Sequence, residues 1–168
     1  GITVHFADGP DVKGSLLIGA DGVWSRVRQQ LLPSYKLLDT EARLVFGKTS
    51  LTDTFSQKFS KSASEGLTLI DGGTVKCLLE PMRFSKEIAS LPKDYVYWVV
   101  FLRSDSKAIP ADVLSKPLDE VKTLVRSLTE DWHPSLACLF EPSTTEISVF
   151  RVLSSSPDIP DWGSGAPI

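Results

Sequence analysis

This sequence predicts a mixed fold, a small α/β unit followed by a mostly antiparallel sheet carrying helices, on three observations. A continuous apolar run, Leu16-Leu17-Ile18, passes through a glycine-containing turn into residues at helical spacing, which is the strand-turn-helix order of an open α/β sheet. Further apolar segments of strand length follow, separated by Gly, Ser, Pro and Asp clusters. Between Leu118 and Leu128 the apolar residues recur at the period of a helix that buries one face.

The elements read in order as follows. Ile2, Val4 and Phe6 alternate with Thr3 and His5, and Asp8-Gly9 follows as a turn, so a hairpin opens the chain. Leu16-Leu17-Ile18 has the pattern of a strand buried on both faces. Val23, Val27 and Leu31 mark a short helix that Pro33 stops. Leu44 to Leu51, Leu67 to Ile70, Thr74 to Leu79 and Tyr95 to Leu102 read as strands of one antiparallel sheet. Asp71-Gly72-Gly73 joins two of them, because glycine accepts positive φ. After Pro117 comes a helix through Leu118, Val121, Leu124, Val125 and Leu128. Trp132-His133-Pro134 interrupts it before a shorter helical stretch to Phe140, and Glu146 to Leu153 closes as a strand. The tail from Ser154 to Gly165 is rich in Ser, Pro and Gly, and Ala166-Pro167-Ile168 reads as the start of a further apolar segment.

Composition narrows the functions. With 168 residues, 42% hydrophobic, the chain can bury a core. A net charge of -3 with mixed signs leaves no basic stripe, so nucleic acid is not an expected partner. Cys77 and Cys138 stand alone, which predicts reduced buried thiols, no metal site and a cytoplasmic location. The longest apolar run, Val96 to Leu102, is far below the ~20 residues of a membrane span.

The informative stretch is Gly19-Ala20-Asp21-Gly22-Val23-Trp24-Ser25-Arg26-Val27-Arg28, placed where a strand gives way to a helix. Open α/β sheets bind nucleotides at that position. Small residues at Gly19, Ala20 and Gly22 let the backbone approach a cofactor, the helix N-terminus favours an anionic pyrophosphate, and Asp21 can accept from ribose hydroxyls. The plain alternative is an Asp-Gly turn capping a helix. Ser25 lacks the second glycine of a nucleophile elbow and bonds the helix end.

These ten residues match every fixed position of a fingerprint in the p-hydroxybenzoate-hydroxylase-like FAD-dependent monooxygenases, and the sequence resembles the fungal salicylate-hydroxylase-like and epoxidase-like members most. The hairpin Val4 to Gly9 and the run Leu16-Leu17-Ile18 extend the likeness over residues 1 to about 33; beyond that it is looser.

The resemblance implies part of a Rossmann-like FAD-binding domain in residues 1–35. It implies a substrate-binding antiparallel sheet with helices in 36–153, and a return segment toward the FAD-binding part in 154–168. Gly19, Ala20, Asp21, Gly22, Ser25 and Arg28 would be cofactor-binding, with Asp21 and Gly22 near the adenosine and pyrophosphate and Arg28 supporting the loop or the dinucleotide charge. NAD(P)H would reduce FAD, and one atom of O2 would reach an aromatic or isoprenoid-like organic substrate by hydroxylation or epoxidation. The glycine-rich fingerprint upstream and the Gly-Asp motif downstream do not occur in these residues, so the chain is expected to be an interior fragment that alone neither retains FAD nor oxidises NAD(P)H.

Other residues are read both ways. Arg43 opens the first strand of the presumed substrate sheet, where relatives can place a basic residue facing substrate, and it is the candidate catalytic residue; a solvated strand-end arginine is the ordinary reading. Tyr95, Tyr97 and Trp98 can line a pocket or pack a core. His5 and His133 read as structural. Two rival functions stay open. A reductase or cyclase of the same fold would differ by forming no oxygen-dependent product, and a truncated or degenerate non-catalytic domain would differ by retaining no flavin.

Overall fold

The structure is a computed structural model and describes residues 1–73, 75–88, 90–103, 109–110, 112–141, 145–159 and 161. It divides into two compact units, one of Asp39–Val152 and one of Gly1–Leu38 with the described residues from Leu153 on.

In the smaller unit, β1 (Ile2–Val4) pairs antiparallel with β2 (Val12–Gly14), Thr3 opposite Lys13. The alternation of Ile2 and Val4 with polar neighbours predicts this hairpin. The helix α1 (Arg26–Leu31) starts later than the apolar spacing from Val23 suggests, because Ser25 takes the N-cap position. One expectation fails. Leu16-Leu17-Ile18 forms no strand, and Leu16 and Ile18 are 73% and 77% exposed. A strand exists through its partner's hydrogen bonds, and among the described residues none pairs with this run.

The larger unit is built on five strands: β3 (Leu37–Ser50), β4 (Thr68–Asp71), β5 (Lys76–Met82), β6 (Tyr95–Arg103) and β7 (Thr145–Ser155), in the order β4-β5-β6-β3-β7. Every pairing with a described register is antiparallel. Around them lie α2 (Asp53–Lys58), α3 (Leu118–Leu128), α4 (Pro134–Ala137) and 3-10 turns at Ser62–Ser64, Val113–Ser115 and Cys138–Phe140. The period of two splits the sheet. Val45, Gly47 and Thr49 of β3 share one face with Val96, Trp98, Val100 and Leu102 of β6 and with Cys77 and Leu79 of β5. That face is buried in one core with Val121 and Val125 of α3, Phe55 and Phe59, and Leu139 and Phe140.

Trp98 is the largest side chain in that core. Its indole lies on Gly47, directly across the β3–β6 ladder, where a Cβ would come within 2.1 Å of the ring. Glycine inside a strand costs roughly 0.5–1 kcal/mol, and burying an indole offsets this with up to about 4–6 kcal/mol of apolar burial. The indole N–H donates to Thr49 Oγ1 at 3.0 Å, and the Thr49 hydroxyl donates to the Leu139 carbonyl at 2.8 Å. Phe140 meets the indole edge-on at 5.0 Å.

The Asp71-Gly72-Gly73 turn joins β4 to β5 as its composition predicts: Gly73 has φ 76° and donates its N–H to Asp71 Oδ1 at 3.1 Å. α3 follows Pro117, with Asp119 and Glu120 in its first turn and Arg126 in its last, complementing the helix dipole. Two elements depart from expectation. β3 starts at Leu37 rather than Leu44, and α2 is unforeseen, capped by Thr52, which accepts from Phe55 N–H at 3.2 Å. Cys77 and Cys138 are free and buried, and burial pushes the Cys77 thiol up to about 12. Thr74 and the Ala166-Pro167-Ile168 segment lie outside the described residues. No helix among the described residues is long and apolar enough to cross a membrane.

Candidate functional site

The Gly19–Arg28 loop is held by its own side chains. Asp21 Oδ2 accepts the backbone N–H of Arg26 at 2.8 Å and of Val27 at 3.3 Å. A hydrogen bond from Ser25, and then these two N–H groups, hold the Asp21 carboxyl below its ordinary value. Ser25, itself buried, accepts the N–H of Arg28 through Oγ at 2.9 Å. Arg28 turns back to donate to the carbonyls of Gly22 and Val23, and its guanidinium stands 4.9 Å from the Tyr35 ring centroid. Asp21, Ser25 and Arg28 therefore shape the loop and cap α1, as the turn-capping alternative expects.

The glycines serve two ends. Gly19 packs against α1, since a Cβ there would sit 3.0 Å from Val27 Cγ1. Gly22 has φ 77° and open space beside it, so its backbone is accessible. A cleft of about 850 Å³ runs along Leu17, Ile18, Ala20, Asp21, Arg26 and Gln30 to the opening hairpin.

The second feature is the sheet face opposite the core. Leu44 and Phe46 of β3, Leu78 of β5, Tyr97, Val99 and Phe101 of β6 and Leu69 of β4 share it by register. Phe150 of β7 meets Phe46 edge-on at 5.2 Å, and Tyr97 lies 5.9 Å from Phe46 on its other side. At one end a cavity of about 560 Å³ is lined by Leu69, Phe101, Lys76, Arg103 and the β3 segment from Thr40 to Ala42. Sequence reading missed this surface as a unit, although period-two alternation on the paired strands carries the signal.

The sequence-predicted residues distribute as follows. Gly19, Ala20, Asp21, Gly22, Ser25 and Arg28 come together in the loop. Tyr95 and Tyr97 are on the open face, but Trp98 is on the core face, so the three do not line one pocket. Arg43 shares the core face with its partner Leu102 and is gripped by Asp39 through two bonds, 2.7 and 3.0 Å. The carboxyl of Asp39 is held low first by Arg43, with Arg151 3.4 Å away adding to it. His133 caps α4 by accepting the Ser135 N–H at 3.2 Å, and His5 pairs with Asp11 in an exposed turn.

No family model matches the sequence. The chain is 36% identical over 187 residues to the dual O-methyltransferase/FAD-dependent monooxygenase CTB3 of Cercospora beticola, an alignment that takes in 97% of the chain and 22% of that protein. It is 34% identical to the dual O-methyltransferase/FAD-dependent monooxygenase elcB of Phaeosphaeria nodorum, over 98% of the chain and 21% of that protein. Along nearly its whole length the chain is similar to a segment of these FAD-dependent monooxygenases. The same fold is seen in a Photorhabdus luminescens protein described as an FAD containing monooxygenase, which superposes with a TM-score of 0.78 at 22% identity over 94% of this chain and 44% of that one. The chain thus spans about a fifth of the length of these curated FAD-dependent monooxygenases, 22% and 21%.

Proposed function

We propose that, within an FAD-dependent monooxygenase acting with NAD(P)H and O2, this chain contributes the loop that flanks the dinucleotide and the sheet that walls an organic substrate. The observation that carries the reading is the presence in one chain of the Gly19–Arg28 loop and of a sheet with one face packed by helices and the other aromatic and open within its unit.

The loop fits a dinucleotide through its backbone. Gly22 offers an unobstructed approach and Gly19 cannot carry a side chain without displacing Val27. Asp21, Ser25 and Arg28 hold that backbone in place and do so before any cofactor arrives, which is preorganisation of the site. FAD, when bound, supplies the redox and oxygen chemistry; the protein's part is to position the substrate and exclude water. The aromatic face serves that part, since flat apolar side chains give large contact area to a planar ligand. Arg43, bound to Asp39 on the core face, we assign to holding β3 rather than to catalysis.

The domain division read from the sequence, 1–35, 36–153 and 154–168, belongs to this proposal and is supported by the compact unit Asp39–Val152. So does a cytoplasmic setting, supported by two buried free thiols. The test is to purify the intact protein and measure bound flavin, NAD(P)H oxidation with hydroxylated aromatics, and incorporation of isotopically labelled dioxygen into product. Labelled oxygen in the product is the expected result. A flavin-free protein, or one that oxidises NAD(P)H without ever transferring label to an organic molecule, would overturn the reading.

A further inference from the structure

The open sheet face is not uniformly apolar. Register sets Lys48 of β3 and Glu80 of β5 directly on either side of Tyr97 of β6. Directly opposed residues have Cβ atoms about 4.5–5.5 Å apart, so the three form one polar row across three strands. The neighbouring row, Phe46, Val99 and Leu78, is wholly apolar, and Leu44 and Phe101 follow it. On the far side of the polar row stands Tyr95, with Lys48 Nζ 5.2 Å from its ring centroid. Lys48 and Glu80 are exposed and Tyr97 half-buried. The Tyr97 ring continues the aromatic surface through Phe46, and its hydroxyl adds a donor and acceptor at the boundary of that surface.

We propose that this row sets substrate specificity: a planar aromatic molecule lies over Phe46 and Leu78, which flank the buried Val99, Tyr97 hydrogen-bonds its oxygen substituent, and Lys48 selects an anionic oxygen there. The inference rests on the sheet being the substrate wall. Burial raises the Tyr97 phenol, which keeps it protonated and able to donate. Glu80 opposes a second anionic group on the β5 side, so the favoured ligand carries its negative charge on one edge only.

The test uses the intact protein and two probes, anionic 1-hydroxy-2-naphthoate and neutral 1-naphthol, with binding measured by calorimetry beside flavin content and dioxygen uptake. Lys48→Met is expected to weaken the naphthoate by about three- to fivefold, the size of an exposed ion pair, and to leave 1-naphthol unchanged; Lys48→Arg restores the preference. Tyr97→Phe is expected to weaken both probes by roughly three- to tenfold and to raise KM more than it lowers kcat. Flavin-loaded protein with the same probe preference in wild type and Lys48→Met would overturn the proposal while leaving the functional reading intact. A Lys48-dependent preference in protein without flavin would do the reverse.

Discussion

Gly47 has room for a hydrogen and nothing larger. A methyl group there meets the Trp98 ring at 2.1 Å, and a ring locked between Phe140 and the Thr49 hydroxyl cannot give way cheaply. Gly47→Ala is therefore expected to destabilise the protein by about 2–3 kcal/mol, read as a shift of the urea midpoint. Gly66→Ala, at an exposed site with nothing within 4 Å, should leave that midpoint in place. Charge makes a second residue-scale prediction. Asp39 has its carboxyl lowered below the ordinary 3.8 by Arg43 and Arg151. A carboxylate lowered on folding adds stability that is complete above the unfolded value and is lost as pH falls through the folded one. Acid unfolding of Asp39→Asn should show a shallower loss below about pH 4 than the parent, and an unchanged acid limb would show that these arginines contribute nothing.

Elements were legible where apolar residues kept a period, and illegible where backbone or capping did the work. β4, β5, β6 and α3 fall close to their expected positions because Leu69, Leu79, Val96, Trp98, Val121 and Val125 alternate or recur as strand and helix demand. The first half of β3 carries Asp39, Glu41 and Arg43 on backbone pairing, with Glu41 in the left-handed region at φ 63°, and no apolar rhythm announces it. α2 buries Phe55 as its one buried residue, too little for a helical pattern. Tyr95, Tyr97 and Trp98 looked like one lining set in sequence; period two sends the tryptophan to the other face. What ties elements together is the Trp98–Thr49–Leu139 chain, which links β6, β3 and the turn Cys138–Phe140. Thr49→Val keeps the shape and strands an indole N–H and a carbonyl in the core. A loss of about 2–4 kcal/mol is expected from two unmet partners, with an unchanged urea m-value; a loss below 1 kcal/mol would mean the network is not cooperative.

At the scale of the molecule, apolar burial is concentrated in one unit. Among the described residues the buried apolar core lies between Val45 and Ile147, while Leu16, Ile18, Val23 and Trp24 of the other unit are exposed. Opening free energy follows buried contacts. Hydrogen exchange on this chain should therefore show the slowest amides in β6 and the paired half of β3, and amides of β1, β2 and α1 should exchange earlier. Equal protection in both units would contradict that order. The fingerprint itself was legible because its chemistry is local: ten consecutive residues carry it, and Asp21, Ser25 and Arg28 bond within that stretch. The aromatic face was not, because it gathers residues from β3 to β7 that only strand order makes neighbours. The two-faced sheet has an evolutionary consequence. Mutations at 44, 46, 78, 97 and 101 rewrite the open surface, while 45, 47, 77, 79, 98 and 100 hold the packing. Adjacent codons thus fall under different selection, and descendants of one ancestor can diverge in what they recognise while inheriting an unchanged shape.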